Sequence, residues 1–299
     1  IVVGGWCLCM QSAMGSRSIS EGSHILSSSS LSKSPSSSRV SKRLTEDSMS
    51  QSLKGMEYAV RGEVVIAADR INADMSNSKE SSSKYPFDHI VYTNIGNPHS
   101  VGQKPLTWPR QVMALADLPS SVGIDHPNVC DMFPEDCVRR ARSIKEALNG
   151  HGTGAYTHSQ GPKVFRDEIA RFIERRDQLP SHSISSDSIF MTNGASSAIH
   201  MILTALISNP KCGVMIPIPQ YPIYSATIDL LGGQKVGYYL NEQNGWDMNM
   251  DELEQTLLDA KNRGIHVNSF VLINPGNPTG NVLPPDAVKH IGNFCAKHN

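Results

Sequence analysis

From about residue 160 onward, apolar residues recur at two spacings that alternate along the chain. Phe165, Ile169, Phe172 and Ile173 share one face of a 3.6-residue period and predict a helix, and the run Ser188-Ile189-Phe190-Met191 then predicts a strand. Ile199, Ile202, Leu203 and Leu206 mark a second helix, ahead of the strand-like run Gly213-Val214-Met215-Ile216. A helix near residues 224–231 and a strand over 235–240 follow. Leu253, Leu257 and Leu258 mark another helix, opened by Asn249 with Glu252 three residues on, the spacing of a reciprocal cap. The run Phe270-Val271-Leu272-Ile273 predicts a further strand, and Val288, Ile291, Phe294 and Cys295 fall on one side of a final helix. Strands alternating with helices in this way predict an α/β fold, a mostly parallel sheet covered by helices on both faces. The chain stops after that helix with no strand following, which reads as a βαβ unit cut in the middle.

Composition narrows the class of function. A chain of 299 residues holds one large or two medium domains. With 27 basic against 28 acidic side chains there is no net field to hold nucleic acid or an anionic membrane, so a small substrate is expected. No stretch approaches the length of a membrane span, and a soluble protein is expected. The six cysteines form no paired Cys-x-x-Cys set and read as free thiols of a reducing compartment. The histidines form no His-Glu-x-x-His or other ligand-spaced cluster, so metal catalysis is not expected.

Residues 1–56 differ from the rest: serine dominates, Arg17, Lys33, Arg39, Lys42 and Arg43 are spaced through the segment, and acidic residues are few before Glu46. The segment reads as an organelle transit sequence or as a disordered tail, the former preferred. Because the chain begins with Ile1, its start is expected upstream or at an internal methionine such as Met49.

The chemistry gathers in loops, most of them at predicted strand ends. Asn274-Pro275-Gly276-Asn277-Pro278-Thr279-Gly280 is a sharply turned polar loop at the carboxyl end of a buried strand, where open α/β sheets bind ligands. Met191-Thr192-Asn193-Gly194-Ala195-Ser196-Ser197 runs from a strand end into a helix whose free N–H groups suit a phosphate dianion, with Ser196 adding a hydroxyl. In Pro217-Ile218-Pro219-Gln220-Tyr221-Pro222-Ile223-Tyr224, prolines stiffen a loop from which a tyrosine can stack on an aromatic ring. The glycine of Asn94-Ile95-Gly96-Asn97-Pro98 lets a carboxylate approach the backbone, and Tyr156 in Gly154-Ala155-Tyr156-Thr157-His158-Ser159-Gln160-Gly161 can donate to a phosphate. Taken singly, each has a plainer reading as a turn, a cap or a loop tyrosine.

In this order the segments resemble the class I/II, fold-type I pyridoxal-phosphate aminotransferases, in the alanine and glutamate:glyoxylate aminotransferase branch, from about residue 57 to Asn299. The resemblance implies pyridoxal 5'-phosphate as cofactor, with Ala195 and Ser196 in the phosphate cradle and Tyr221 stacked on the pyridine. It also implies Asn277 donating to the phenolic oxygen, with a cis Asn277-Pro278 bond, Gly96 lining the substrate carboxylate site and Tyr156 reaching the phosphate of a neighbouring subunit in a homodimer. It divides the chain into a Ser-rich segment (1–56), an N-terminal arm with a small-domain portion (57–148) and an incomplete, truncated cofactor-binding large domain (149–299).

The family's Schiff-base lysine and the aspartate at its pyridine nitrogen are expected beyond Asn299, so no catalytic residue is assigned within this chain and the chain alone is expected to be nearly inactive. The reaction implied for the full-length protein is transamination between L-alanine and 2-oxoglutarate, giving pyruvate and glutamate. The alternatives are a glyoxylate-using or other class I/II aminotransferase, a related lyase or synthase, or a non-catalytic module that binds a full-length partner. The compartment implied is cytoplasmic or organellar, in a mitochondrion, plastid or peroxisome.

Overall fold

The structure, a computed structural model, describes residues 45–58, 62–77, 84–92 and 95–298. Most of the serine-rich segment, residues 1–44, lies outside the described residues, as does Asn94. Helices α1 (Gln51–Lys54), α2 (Glu63–Asn77), α3 (Thr107–Asp117), α4 (Val129–Met132), α5 (Glu135–Ala147) and α6 (Lys163–Arg176) precede the sheet. Then come α7 (Gly194–Leu206), β1 (Cys212–Ile218), α8 (Ile223–Leu231), β2 (Gln234–Asn241), β3 (Asp247–Met248), α9 (Met250–Asn262), β4 (His266–Phe270) and α10 (Pro285–Lys297).

The strand order is β3-β2-β1-β4, with β1 parallel to both neighbours and the short β3 antiparallel to β2. Central β1 is buried along nearly its whole length, as a parallel strand covered on both faces must be. Its alternate residues feed two cores. Val214 and Ile216 pack with Ile199 and Leu203 of α7 and Ile228 of α8, while Met215 packs with Val236, Leu253 and Phe294 on the other side. Helices therefore cover both faces, and the expected layering is present.

Upstream, Val112 and Leu115 of α3 meet Val138, Ala141 and Ile144 of α5 in a separate apolar cluster. Lys145 is buried beside it and donates to the carbonyls of Ala116 and Leu118 at 3.1 and 2.6 Å. A cation there satisfies the carbonyls that the end of α3 leaves open. Arg140 of α5 grips Glu168 of α6 with both guanidinium nitrogens, the first at 2.6 Å.

Three sequence expectations need correction. Residues 188–191 form no strand, because the Met191 N–H is taken by the carbonyl of Gln160 at 3.0 Å rather than by a ladder. The strand expected over 270–273 ends at Phe270. Val271 still donates to Met215 at 2.8 Å, but the partner that would continue the pairing is Pro217, which has no N–H to give. On α6, Phe172 is exposed, with Arg176 over its ring at 5.9 Å, and the buried face is Arg166, Ala170, Ile173 and Glu174. The two charged members are held there by bonds to loop backbone: Arg166 donates to Gly161 and Ser186, and Glu174 accepts from Ile184.

The cap at Asn249 is half of a reciprocal pair. Its side chain accepts from the N–H groups of Asp251 and Glu252, whereas Glu252 accepts from Tyr239 of β2 instead of returning to Asn249. Among the described residues no helix is long and apolar enough to cross a membrane, and Cys130, Cys137, Cys212 and Cys295 are free thiols.

Candidate functional site

The carboxyl ends of β1 and β4 point the same way, so the loops that follow them emerge at one edge of the sheet. Tyr221 lies in the loop after β1 and Asn277 in the loop after β4. Pro217 at the end of β1 and Pro219 just after it line a recess of about 10 Å³ together with Ile273 and Asn277, so both loops border it.

Helix α7 precedes β1 and packs Ile199 and Leu203 in the same cluster as Val214 and Ile216 of that strand. Its last turn leads through a short connection into the start of β1, where the Ser208 hydroxyl meets the Cys212 thiol at 3.4 Å. The helix thus runs back along the sheet. Thirteen helical residues span about 20 Å, close to the ~23 Å of a seven-residue strand, so a helix running back along β1 has the length to bring its first turn to the strand's carboxyl end. The cap residue Asn193 makes no side-chain bond to that turn, and Ala195 and Ser196 are exposed. Free N–H groups, a positive dipole end and the Ser196 hydroxyl form a donor set that fits a phosphate dianion.

The loop after β4 is tightly braced. The Asn274 side chain accepts from the Leu283 N–H at 3.0 Å, Gly276 N–H donates to the Asn281 carbonyl at 2.8 Å, and the Asn281 side chain donates to the Trp246 carbonyl at 3.0 Å. A Cβ at Gly276 would force the side-chain oxygens of Asn281 and Thr279 to move. Asn274-Pro275 and Asn277-Pro278 are both cis, as is Ile218-Pro219 after β1. Asn277 itself is exposed and free to meet a ligand.

At the root of this loop Tyr238 of β2 donates to the Val271 carbonyl at 2.8 Å, the position left without a ladder partner by Pro217. Burial pushes the Tyr238 hydroxyl far above the ordinary phenol value, so it remains a donor at any physiological pH. In the loop after β1 the Tyr221 hydroxyl accepts from Tyr58 at 3.0 Å, and the adjacent Gln220 Oε1 is buried without a hydrogen-bond partner.

The loop holding Tyr156 is anchored at both ends. Asp117 accepts from the N–H and hydroxyl of Thr153 at 2.7 and 2.8 Å, which holds its carboxyl below the usual carboxylate range. At the other end Gln160 bonds Met191 and Asp187, and Gly161, at φ 96°, leaves no room for a Cβ against Met191. This end therefore buttresses the segment that leads into α7. Tyr156 projects fully into solvent, and Gly96 stands in an exposed turn where a Cβ would meet nothing within 4 Å. Of the residues singled out from sequence, Tyr221 and Asn277 stand in loops that leave the same edge of the sheet, Ala195 and Ser196 are exposed on the first turn of α7, and Tyr156 and Gly96 stand in exposed loops.

Tyr58, Gln220 and Tyr238 were not singled out. The proline in β1 was a usable signal for Tyr238, because it leaves an acceptor on β4 that some donor must satisfy. Nothing local marks Tyr58, whose partner is 163 residues away.

Comparison with known proteins agrees with this architecture. The chain is 45% identical over 262 residues to alanine aminotransferase 2, mitochondrial, of Arabidopsis thaliana, covering 88% of this chain and 47% of that protein. It is 43% identical over 254 residues to glutamate–glyoxylate aminotransferase 2 of the same plant, covering 85% of this chain and 49% of that protein. The chain thus spans about half the length of the curated relatives it matches. An alanine aminotransferase structure from Pyrococcus furiosus shares the fold at a TM-score of 0.60 and 22% identity, over 83% of this chain and 49% of that one. The family model for aminotransferase class I and II matches residues 128–299, more than half of the sequence. The chain belongs to the class I and II aminotransferases, a family of pyridoxal-phosphate enzymes.

Proposed function

We propose that the polypeptide that extends this chain transfers an amino group between L-alanine and 2-oxoglutarate, giving pyruvate and glutamate. The single observation that carries this reading is that the loops of Tyr221 and Asn277 leave the same edge of the sheet, with Pro219 and Asn277 lining one recess there. Similarity to an alanine aminotransferase at 45% identity supports the choice of amino donor.

When bound, pyridoxal 5'-phosphate supplies an aldehyde that takes up the amino group and a ring that draws electrons from the substrate's α-carbon. The chain's own residues bind and orient. The first-turn N–H groups of α7 and the Ser196 hydroxyl hold the phosphate. Tyr221 stacks on the ring. The Asn277 carboxamide donates to the phenolic oxygen, which favours its ionised form. Gly96 leaves room for the substrate carboxylate, and Tyr156, projecting fully into solvent, reaches the phosphate site of a second subunit in a homodimer.

On this reading, residues 57–148 form the N-terminal arm and part of a small domain, and 149–299 the cofactor-binding part of the large domain. No residue of this chain is assigned the role of the lysine that carries the cofactor. An organellar location is supported by relatives whose names say mitochondrial. Similarity to a glutamate–glyoxylate aminotransferase favours glyoxylate as the second candidate acceptor.

The test is to express the extended polypeptide and follow pyruvate released from alanine with 2-oxoglutarate or glyoxylate as acceptor. Saturable turnover with 2-oxoglutarate is expected. Turnover with glyoxylate alone transfers the assignment to the second acceptor, and no turnover with either, in protein that holds the cofactor, removes the proposal.

A further inference from the structure

The Tyr58 hydroxyl lies 3.0 Å from the Tyr221 hydroxyl, and the two rings meet edge to face with centroids 6.5 Å apart and planes at 74°. This contact links the segment after α1 to the loop between β1 and α8, and α1 itself packs on α8. From these contacts we infer that Tyr58 is a positioning residue: its hydroxyl and ring hold Tyr221 at the angle from which Tyr221 stacks on the cofactor. The inference rests on the proposed stacking role of Tyr221 and goes beyond it.

Three physical points carry the argument. The backbone of Tyr221 is fixed by Pro219 and Pro222 on either side, yet its ring turns about two side-chain torsions that backbone stiffness does not restrain. The Tyr58 hydroxyl engages the far end of that ring, where a restraint has the greatest leverage on its plane. Aromatic contacts are orientation-dependent, so loosening the plane weakens a stacked ligand even when the protein stays folded. The hydrogen bond to Tyr221, with some burial, also raises the Tyr58 hydroxyl above the ordinary phenol value, so it remains a donor through the neutral range. Tyr58 is 42% exposed and contributes little to the core, which separates a positioning role from a packing one.

The experiment uses the extended polypeptide freed of cofactor and titrated with pyridoxamine 5'-phosphate, which binds without a covalent link. The dissociation constant and the circular dichroism of the bound ring are read for wild type, Y58F, Y221F, Y58F/Y221F and Y221A. Y58F should bind about 2- to 10-fold more weakly, the range of one oriented aromatic contact, with a smaller dichroic band and an unchanged apo unfolding midpoint. Y221F, which keeps the ring but loses the Tyr58 partner, should show the same loss, and the double variant should be no worse than either single one. Y58F that matches wild type while Y221A loses the ligand overturns the role of Tyr58 and leaves the Tyr221 reading standing. Y221A that binds normally overturns the Tyr221 reading itself. Additive losses in the double variant, or a Y58F loss that tracks a lowered apo midpoint, mark Tyr58 as a structural brace and overturn the inference.

Discussion

Tyr238 donates its hydroxyl to the Val271 carbonyl at 2.8 Å, and so closes the gap that Pro217 opens in the β1–β4 ladder just where the Asn277 loop leaves the sheet. The ring is 1% exposed and stacks on Phe270 at 4.8 Å. Tyr238→Phe keeps the stack and leaves a carbonyl without a donor, at a cost of about 1–3 kcal/mol. Denaturant unfolding of the extended polypeptide should show that loss. A variant as stable as wild type would mean that water replaces the hydroxyl at no cost.

Ser196 is exposed on the first turn of α7. A hydroxyl donating to a phosphate contributes about 1.5–3 kcal/mol, so Ser196→Ala should weaken pyridoxamine 5'-phosphate by roughly ten- to a hundredfold. The unfolding midpoint of the apo protein should not move. Equal affinity in the variant and the wild type would separate Ser196 from the phosphate.

Glu168 accepts from both terminal guanidinium nitrogens of Arg140, which hold its carboxyl below the ordinary value of 4.5. A depressed folded-state value means that the contribution is complete above 4.5 and is lost as pH falls through the folded value. Glu168→Gln should therefore be less stable than wild type at pH 7, with the difference shrinking below about pH 4. Parallel acid limbs in urea unfolding would show that this pair does not contribute.

Most of the sheet was legible because β1 is a buried apolar run and α7, α9 and α10 repeat at helical spacing. The misread strands have one cause. Residues 188–191 and 271–273 are apolar enough for strands, but their backbone partners are a loop carbonyl at Gln160 and a tyrosine hydroxyl at Tyr238, contacts that periodicity does not encode. The α6 face was misread because Arg166 and Glu174 bury against backbone groups of a later loop. The site was legible as loops, since Asn-Pro and Gly steps at strand ends carry their own meaning. Behind them, Tyr58 bonds a partner 163 residues away and left no local mark, while the only trace of the Tyr238 bond to Val271 was the proline in β1.

Asn277 lines the recess shared with Pro217 and Pro219. On the proposed reading, Asn277→Ala leaves the cofactor bound and shifts the pH at which its visible absorbance changes, because the ionised phenolic oxygen loses a donor. The shift should be upward. A titration curve that overlays wild type, with equal turnover, would remove the hydrogen bond from the account.

A crystal structure of the extended polypeptide with pyridoxal 5'-phosphate bound would show whether one sheet edge of this chain holds the phosphate and ring of the cofactor. Phosphate oxygens are expected within hydrogen-bonding distance of the Ala195 N–H and the Ser196 hydroxyl, with the pyridine against the Tyr221 ring and the Asn277 carboxamide facing the phenolic oxygen. A cofactor bound with its phosphate away from the first turn of α7, or with Tyr221 and Asn277 both out of contact, would contradict that arrangement.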